Sequence, residues 1–320
     1  MTTIDTISIS TSVDYIKDID FNKFRISTTN NPNGLKIVNH SLLEKKIGLD
    51  SISINETFGT IKIKASSKIL GSDYEKGVSL NTIDRFVDEI NKSGIKLDQD
   101  YIADCELYRV DIKNDLTLKK EVKYYINAMS HLIAPKFNKT LYKSGISFNE
   151  SIIKNPIRFT GYNKGIELLE TKNKSFLKQY PTLINEFQNV LRLESRLLRK
   201  GTIKKYFGSY SLMDILNHKG LNFEVFNKIV DNQTNFKSIY NTLGMTNTEE
   251  KNFAQIYLLN DEYNGDFNSI LNHIKGKLGS KTKATYQRNQ IKKYLAIIKN
   301  SNNNETQANL IEIINSLKED

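Results

Sequence analysis

The spacing of apolar residues changes along this chain, and that change limits the folds it can adopt. Up to Gly208, several short segments alternate apolar and polar residues, as in Ile4 to Ser10, with the two-residue period of a β-strand. After Gly208 the apolar residues recur every three or four positions, as in an amphipathic helix. We therefore predict an α+β fold. An antiparallel-sheet domain with helices on one face covers residues 1–208, and an all-α C-terminal domain covers residues 209–320.

Turn signals and period changes place the elements of the first domain. Asn30 to Gly34 (NNPNG) predicts one hairpin, and Gly59 marks a second. Apolar residues with helical spacing begin at Ile83, and a second helix is predicted from about Leu118 to Ile133, ending before Pro135. The later predictions are strands at Leu141–Ile146 and Ile157–Asn163, a short helix around Ser175–Phe187, and a strand carrying Glu194.

Seven short amphipathic helices, separated by Gly or Asn, are predicted after Gly208. They are Leu212–Leu216, Phe223–Val230, Phe236–Leu243, Phe253–Leu259, Phe267–Ile274, Tyr286–Ile298 and Ala308–Leu317.

Composition favours a polyanionic partner inside the cell. The 320 residues carry a formal charge of +10 and a pI near 9.3, which suits nucleic acid, although the Lys-, Asn- and Ile-rich usage of AT-rich genomes gives a similar charge. The single Cys105 excludes an internal disulfide and every multi-cysteine zinc pattern. No apolar run approaches the roughly 20 residues of a membrane helix. We therefore expect a soluble, cytoplasmic protein with no membrane partner.

Three segments concentrate functional polar groups on one face of a strand. Because side chains alternate, Arg109, Asp111, Lys113 and Asp115 share a face in Tyr108 to Asp115 (YRVDIKND). The same period groups Arg158, Tyr162 and Lys164 in one segment, and Arg192, Glu194 and Arg196 in another. Carboxylates for a metal, a phenol for attack and cations for phosphate together indicate a DNA-cleaving centre.

Tyr162 is the predicted nucleophile, with Lys164 as its catalytic partner. A tyrosine that attacks a DNA phosphate forms a phosphotyrosine ester, which conserves the energy needed to rejoin the strand. A free phenol has a pKa of about 10, so we expect Lys164 to lower that pKa or to hold the phosphate. The alternative is an ordinary strand tyrosine beside a solvated lysine, since the chain has 16 tyrosines.

Asp111 and Glu194 are the predicted metal ligands, and Asp115 and Glu167 are further candidates. Mg²⁺ or Mn²⁺ prefers carboxylate oxygens and can polarise a scissile phosphate. The alternative for Asp111 is a structural ion pair with Arg109 or Arg192. Asp115 also suits a helix-capping role. The four histidines are isolated, so no histidine pair is available for a metal.

A long basic segment is predicted to bind DNA. Phe267 to Asn304 contains no Asp or Glu, and a helix beginning near Thr282 would carry basic residues suited to phosphate contacts. A solvated helix face is the alternative. The predicted DNA-binding residues are Lys281, Lys283, Arg288, Lys292 and Lys293 in this segment, with Arg109, Arg158, Arg192 and Arg196 in the first domain.

The order of three short motifs resembles that of rolling-circle replication initiators, the group of plasmid initiators and phage gene II/X-like proteins. The motifs are Arg109 to Asp115 (RVDIKND), Tyr162 to Glu167 (YNKGIE) and Arg192 to Glu194 (RLE), and they match R-x-D-x-x-x-D, Y-N-K-x-x-E and R-x-E. The match lies between about Cys105 and Lys200. Related plasmid initiators often continue the third motif with a second acid where this chain has Arg196, and the histidine pair of the wider tyrosine-nickase superfamily is missing.

This resemblance implies a metal-dependent, site-specific DNA nickase and strand transferase. Tyr162 corresponds to the nicking tyrosine, and Asp111 and Glu194 correspond to the metal-binding acids. The implied product is a 5′-phosphotyrosine with a free 3′ hydroxyl, and the implied partners are double-stranded origin DNA, the nicked single strand, host replication machinery and a second copy in a homodimer. A non-catalytic, origin-binding regulatory protein is the alternative, since it would have the same basic helices.

Overall fold

The structure is a computed structural model that describes residues 2–30, 32–98, 105–132, 134, 136–150, 157–231, 245–275, 281–299 and 304–319. Its strands are β1 (Ile4–Ser12), β2 (Ile16–Ile19), β3 (Phe24–Asn30), β4 (Lys36–Leu42), β5 (Leu49–Asn55), β6 (Thr60–Ser66), β7 (Ile95–Leu97), β8 (Glu106–Thr117), β9 (Phe137–Tyr142), β10 (Gly145–Glu150), β11 (Ile157–Asn163) and β12 (Val190–Leu197).

Ten of these strands form one sheet in the order β3-β4-β5-β6-β1-β8-β12-β11-β10-β9, and β2 pairs with β7. Every pair of neighbours is antiparallel. The two predicted hairpins are present as β3–β4 and β5–β6. The two-stranded sheet of β2 and β7 was not predicted, because strands of three or four residues give too short an alternation to recognise.

One predicted strand is a hairpin instead. Leu141 to Ile146 was expected to be continuous, but Lys143 and Ser144 form a turn that joins β9 to β10. Tyr142 therefore pairs with Gly145. The sequence signal was weak because the turn contains no Asn-Gly or Asp-Gly pair, which is the usual mark of a two-residue turn.

The helices are α1 (Ile83–Asn91), α2 (Val122–Ser130), α3 (Lys164–Leu168), α4 (Lys174–Gln179), α5 (Leu183–Glu186), α6 (Lys200–Phe207), α7 (Leu212–Asn217), α8 (Leu221–Asp231), α9 (Asn247–Glu262), α10 (Phe267–Lys275), α11 (Lys281–Lys299) and α12 (Asn304–Glu319). The predicted helix at Ser175–Phe187 is divided into α4 and α5 around Pro181, which cannot donate a helical hydrogen bond. α2 is shorter than predicted. The predicted helix Phe236–Leu243 lies outside the described residues.

The main apolar core joins the sheet to helices from both sides of the predicted domain boundary. Phe226 of α8 stacks on Phe159 of β11, with ring centroids 5.5 Å apart. The amide nitrogen of Asn222, also on α8, donates to backbone carbonyls of β8 and β12. Residues of α7 and α12 belong to the same core, whereas α9, α10 and α11 share a second one. The α+β fold class is confirmed, and the boundary between 208 and 209 stays a prediction.

No helix within the described ranges is long and apolar enough to span a bilayer.

Candidate active site

The three polar segments lie on adjacent strands of the sheet. β12 pairs with β8 on one side and with β11 on the other, so the segments sit side by side. The register places Arg196 beside Asp111, Glu194 beside Lys113, and Arg192 between Asp115 and Tyr162. The predicted polar faces therefore form one continuous surface. α8 packs on the opposite face of these strands.

Part of this polar surface, with Tyr162, Glu194 and Arg196, lines a cleft of about 450 Å³. Other lining residues come from the segments that follow β6 and β11, and from the β9–β10 hairpin. Its lining residues are Asp5, Thr6, Asp50, Ser66, Lys68, Tyr74, Tyr142, Ser144, Gly145, Thr160, Tyr162, Lys164, Glu167, Glu170, Lys172, Glu194 and Arg196.

Tyr162 lies partly buried in this cleft and donates a hydrogen bond to Glu194. Its hydroxyl is 3.1 Å from Glu194 Oε2. Burial and the neighbouring Glu194 carboxylate raise the pKa of the phenol well above its usual value. Gly145 pairs with Tyr162 across β10 and β11, and a Cβ at this glycine would lie 2.6 Å from the tyrosine Cβ. A larger residue at 145 would therefore displace Tyr162.

Glu194 is a buried carboxylate in an electronegative environment. Burial raises its pKa, and so do the nearby carboxylates of Asp5 and Asp111. Arg196 Nη2 donates to Glu194 Oε1 at 2.8 Å, which leaves Oε2 for the tyrosine hydroxyl. A carboxylate with a raised pKa holds a proton more strongly, so Glu194 is suited to accept the proton of Tyr162.

Asp111 is enclosed by two arginines. Arg109 binds it with two hydrogen bonds, Nε to Oδ1 at 2.9 Å and Nη2 to Oδ2 at 2.5 Å, and Arg196 Nε donates to Oδ2 at 3.0 Å. The side chain of Asp111 is 1% exposed and does not line the cleft. Arg196 thus links the two predicted metal ligands, since its guanidinium contacts both Asp111 and Glu194.

Arg192 and Asp115 form a buried ion pair below this surface. Arg192 is fully buried and donates through Nε and Nη2 to both oxygens of Asp115. Burial alone would raise the pKa of Asp115, but the charges of Arg192 and Lys113 hold it well below its usual range. The guanidinium of Arg192 is sealed from solvent in this structure, so its contact with DNA stays a prediction that no observed geometry supports. Asp115 is the counter-ion of Arg192 and Lys113, and its role as a metal ligand stays a prediction.

The Y-N-K-x-x-E motif has a local structural explanation at the end of β11. Asn163 caps α3 by accepting a hydrogen bond from the Ile166 amide at 3.0 Å. Lys164 and Glu167 then pair across one turn of the helix, with Nζ 2.5 Å from Oε2. Gly165 allows close packing, since a Cβ there would lie 2.6 Å from the carbonyl oxygen of Phe187.

Lys164 does not contact the phenol oxygen of Tyr162. Its ammonium lies over the tyrosine ring, 5.8 Å from the centroid, and it is paired with Glu167. Burial and the charge of Arg192 lower the pKa of Lys164. The pKa of Tyr162 is thus raised instead of lowered, because burial and the Glu194 carboxylate that contacts the hydroxyl both disfavour the phenolate. Glu167 also pairs with Lys172, so it is a counter-ion for two lysines.

The remaining predicted DNA-binding residues differ in accessibility. Arg158 is exposed, and the side chains of Arg109 and Arg196 are 25% and 31% exposed. Arg288, Lys292 and Lys293 are exposed on α11, and Lys293 Nζ lies 3.4 Å from a carboxylate oxygen of Glu249. The side chains of Lys281 and Lys283 lie outside the described residues. The DNA-binding roles stay predictions.

The predicted metal ligands Asp111 and Glu194 are both engaged by other side chains in this structure. The two carboxylates already share one cationic group, the guanidinium of Arg196, and their oxygens are the hard donors that Mg²⁺ or Mn²⁺ prefers. In the described part of the chain no group of three or more His, Cys, Asp or Glu side chains is arranged to hold a metal ion. A bound ion would therefore complete its coordination with water or substrate oxygens.

Sequence reasoning missed three residues of this site: Asp5, Lys68 and Tyr74. Asp5 is the extra residue of a bulge in β1, and its Oδ1 accepts from Arg192 Nη1 at 2.8 Å. Tyr74 is fully buried and its hydroxyl accepts from the same Nη1 at 2.9 Å. A bulge and the 3₁₀ segment Ser67–Lys76 lack a simple period, so the one signal in the sequence was Asp5, the single charged residue of β1.

The Lys164–Glu167 pair predicts an acid-sensitive contribution to stability. Burial alone would raise the pKa of Glu167, but Lys164 and Lys172 lower it to about 2. The folded pKa lies below the unfolded one, so this stabilisation is present above about pH 4.5 and is lost as the pH falls towards 2. We expect Glu167→Gln to lower the free energy of unfolding by up to about 3 kcal/mol at neutral pH, and by less near pH 3.

Urea unfolding at both pH values measures this difference. Glu170→Gln is the matched control, since Glu170 is exposed and pairs only with the exposed Lys172 among its described contacts. If the difference in free energy of unfolding between wild type and Glu167→Gln does not change with pH, the assigned ion pair is contradicted.

Comparisons with known proteins give one structural similarity. No protein-family profile matches the sequence, and no curated protein matches it. The solved structure of a rolling circle replication initiator protein from Geobacillus stearothermophilus is similar with a TM-score of 0.35 and 8% sequence identity, covering 72% of this chain and 84% of that chain. Similarity this low carries no argument about activity, so function is argued from the geometry of the cleft.

Proposed function

We propose that this chain is a rolling-circle replication initiator that binds an origin and nicks one DNA strand through Tyr162. The observation that carries the proposal is the hydrogen bond from the Tyr162 hydroxyl to Glu194 in a cleft that is also lined by lysine and arginine. A nucleophile within hydrogen-bond reach of a carboxylate base is the arrangement expected for covalent catalysis. The cations supply the charge needed to receive a phosphate.

The proposed reaction transfers one phosphoryl linkage from DNA to the protein. The Tyr162 oxygen attacks the phosphorus while its proton passes to Glu194 Oε2. A bond forms between the tyrosine oxygen and phosphorus, and the bond from phosphorus to the 3′ oxygen breaks. That oxygen takes up a proton from water and becomes the free 3′ hydroxyl from which a polymerase can extend. The polarity, with the 5′ phosphate on the protein, follows the motif resemblance.

The cations of the site have separate proposed tasks. Arg196 is partly exposed in the cleft and is already oriented by Asp111 and Glu194, so it is placed to contact the strand beside the attacked phosphate. Lys164 is held beneath the cleft by Glu167 and contributes positive potential near the tyrosine ring. The proposed cofactor is Mg²⁺ or Mn²⁺: held by Asp111 and Glu194 in place of the Arg196 guanidinium, it would polarise the phosphate and stabilise charge on its oxygens. Exposed cations on α11 would bind duplex DNA.

Glu194→Gln tests the proposed base. The amide keeps the size of the side chain but cannot take the phenolic proton, and it weakens a metal site. We expect the nicking rate to fall by about 10²- to 10³-fold, because general-base catalysis contributes on this order. The assay follows conversion of a supercoiled plasmid, carrying the gene for this chain and its flanking DNA, to the nicked form with Mg²⁺, with Mn²⁺ or with EDTA.

Glu170→Gln is the control, since it removes an exposed carboxylate from the rim of the same cleft. Full activity of Glu194→Gln would exclude Glu194 as the base. Activity of the wild type in EDTA would exclude the metal. Sequence-specific binding without any nicking would favour the non-catalytic, origin-binding alternative.

A further inference from the structure

Lys68 lines the same cleft as Tyr162 but comes from another part of the sheet, next to β6, with β1, β8 and β12 lying between it and β11. It belongs to the 3₁₀ segment Ser67–Lys76, which directly follows β6. β6 and β11 both run parallel to β8, because each is separated from β8 by one intervening antiparallel strand. The chain therefore leaves β6 and β11 at the same end of the sheet. This topology brings Lys68 and Lys164 to the same cleft, although they are far apart in sequence.

Lys68 differs from the other cations of the cleft in its partners. Lys164, Lys172 and Arg196 each lie within ion-pair distance of one or two carboxylates. Among the described residues no carboxylate lies within 4 Å of Lys68 Nζ. Its contacts are the neutral amide oxygen of Asn173, at 2.7 Å, and the Phe176 ring, 5.9 Å from Nζ to the centroid.

Asn173 holds Lys68 in a defined position. Asn173 is fully buried, and its amide nitrogen donates to the Glu167 carbonyl at 2.7 Å and to Glu167 Oε1 at 3.3 Å. These bonds fix the orientation of the amide, so its oxygen faces Lys68. The lysine is thus connected through Asn173 and Glu167 to Lys164, and this arrangement reduces the conformational entropy that it would lose on binding an anion.

The electrostatic environment of Lys68 favours an added anion. Burial and the charge of Lys164 lower the pKa of Lys68, while Glu167 and Asp5 offset this only in part. A half-buried cation next to another cation is unfavourable in the free protein. A phosphate between them would remove that cost, since a phosphate oxygen can accept from an ammonium in a charge-assisted hydrogen bond.

We propose that Lys68 binds a phosphate of the DNA strand that enters the cleft beside Tyr162. The identity of the ligand as DNA rests on the proposed function, whereas the anion site rests on the contacts of Lys68. A residue placed for ligand binding instead of ion pairing makes little contribution to folding. Lys68 should therefore be dispensable for stability and needed for strand binding.

Binding of a fluorescein-labelled single-stranded oligonucleotide tests this, with every variant in a Tyr162→Phe background and without metal, so that no cleavage occurs. We expect Lys68→Gln to weaken binding by about 5- to 10-fold at low salt, and to reduce the slope of log affinity against log salt by about 0.7, the value for one phosphate contact on a single strand. Lys68→Arg should retain the slope. Lys178→Gln, an exposed lysine on α4 outside the cleft lining, should bind within about twofold of its parent.

A second variant and a second anion keep the result interpretable. The midpoint urea concentration for unfolding of Lys68→Met should equal or exceed that of its parent. A lower midpoint would show that Lys68 is structural and would overturn the proposal. Unchanged affinity and slope for Lys68→Gln would also overturn it. Strong competition by inorganic phosphate at matched ionic strength would indicate a small-anion site and overturn the assignment to a strand. If the wild type never nicks DNA but Lys68→Gln still reduces the slope of log affinity against log salt, the nicking proposal fails and the strand-binding proposal stands.

Discussion

Tyr162→Phe is expected to abolish DNA nicking and covalent attachment while leaving the fold intact. The substitution removes one oxygen atom and no ring atom, so the contacts of the ring with the cleft are retained. The lost hydrogen bond to Glu194 Oε2 joins a partly buried hydroxyl to a carboxylate that Arg196 also holds. Without the phenolic oxygen the chain has no atom to form the phosphotyrosine ester, and we expect a loss on the order of 10⁵-fold or more.

The measurement has two readouts. Conversion of supercoiled plasmid to the nicked form gives the rate, and transfer of labelled DNA to the protein on a denaturing gel gives the covalent intermediate. Tyr142→Phe is the matched control because Tyr142 lines the same cleft, is 53% exposed and also loses only a hydroxyl. Loss of nicking in the Tyr162 variant alone would support the assignment. Equal activity of both variants would exclude Tyr162 as the nucleophile.

Strand alternation was sufficient to predict which residues share the site surface. Asp111, Tyr162 and Glu194 come from segments that are distant in sequence, yet in each segment the functional polar groups share one face. In an antiparallel sheet the polar faces of adjacent strands combine, so their meeting on β8, β11 and β12 followed once those strands were neighbours. The ion pairs could not be predicted, since they depend on register.

The register between neighbouring strands explains the ion pairs that strand alternation alone did not predict. Alternation assigned Arg192 to the polar face, which is correct, but the sequence does not reveal that Tyr74 and Phe187 cover this position, with both rings within about 5.5 Å of the guanidinium carbon. Asp115 lies directly opposite Arg192, so the two form an ion pair. Arg196 similarly lies opposite Asp111. A residue's face follows from its own strand, whereas its partner follows from the neighbouring strand.

Asp5 and Lys68 were not predicted for a different reason. Asp5 reaches the polar surface through a β-bulge, and Lys68 through a 3₁₀ segment after β6. Neither structure has a repeating pattern in the sequence. The packing of α7, α8 and α12 on the main core was also not predicted, because the amphipathic pattern of a helix gives its apolar face but not the element that covers it.

Arg192→Met is expected to produce the largest loss of stability, about 3–5 kcal/mol in the free energy of unfolding at neutral pH. The fully buried guanidinium donates to both oxygens of Asp115 and to Asp5 Oδ1. Methionine fills much of the volume but leaves Asp115 with Lys113 as its remaining ion-pair partner among the described residues. Removing one partner of a buried pair costs more than replacing both, because the other charge stays desolvated.

The stability difference between wild type and Arg192→Met should change with pH in a defined direction. Arg192 and Lys113 hold the pKa of Asp115 well below its unfolded value, so the wild type gains this stabilisation above about pH 4 and loses it as the pH falls. Without Arg192 that pKa rises towards its usual range, and the carboxylate can protonate. The stability difference between wild type and Arg192→Met should therefore narrow as the pH falls from neutral to about 3.

Urea unfolding of three variants separates the ion pair from other effects of the substitution. Arg158→Met is the control, since Arg158 is exposed on the adjacent strand β11 and its described bond is to the neutral Asn149, so we expect a change below about 0.5 kcal/mol. Arg192→Met combined with Asp115→Asn should recover part of the loss, because the uncompensated charge is then removed. A double variant as unstable as the sum of the two single variants would mean that Arg192 and Asp115 do not act as a pair, which would contradict the prediction.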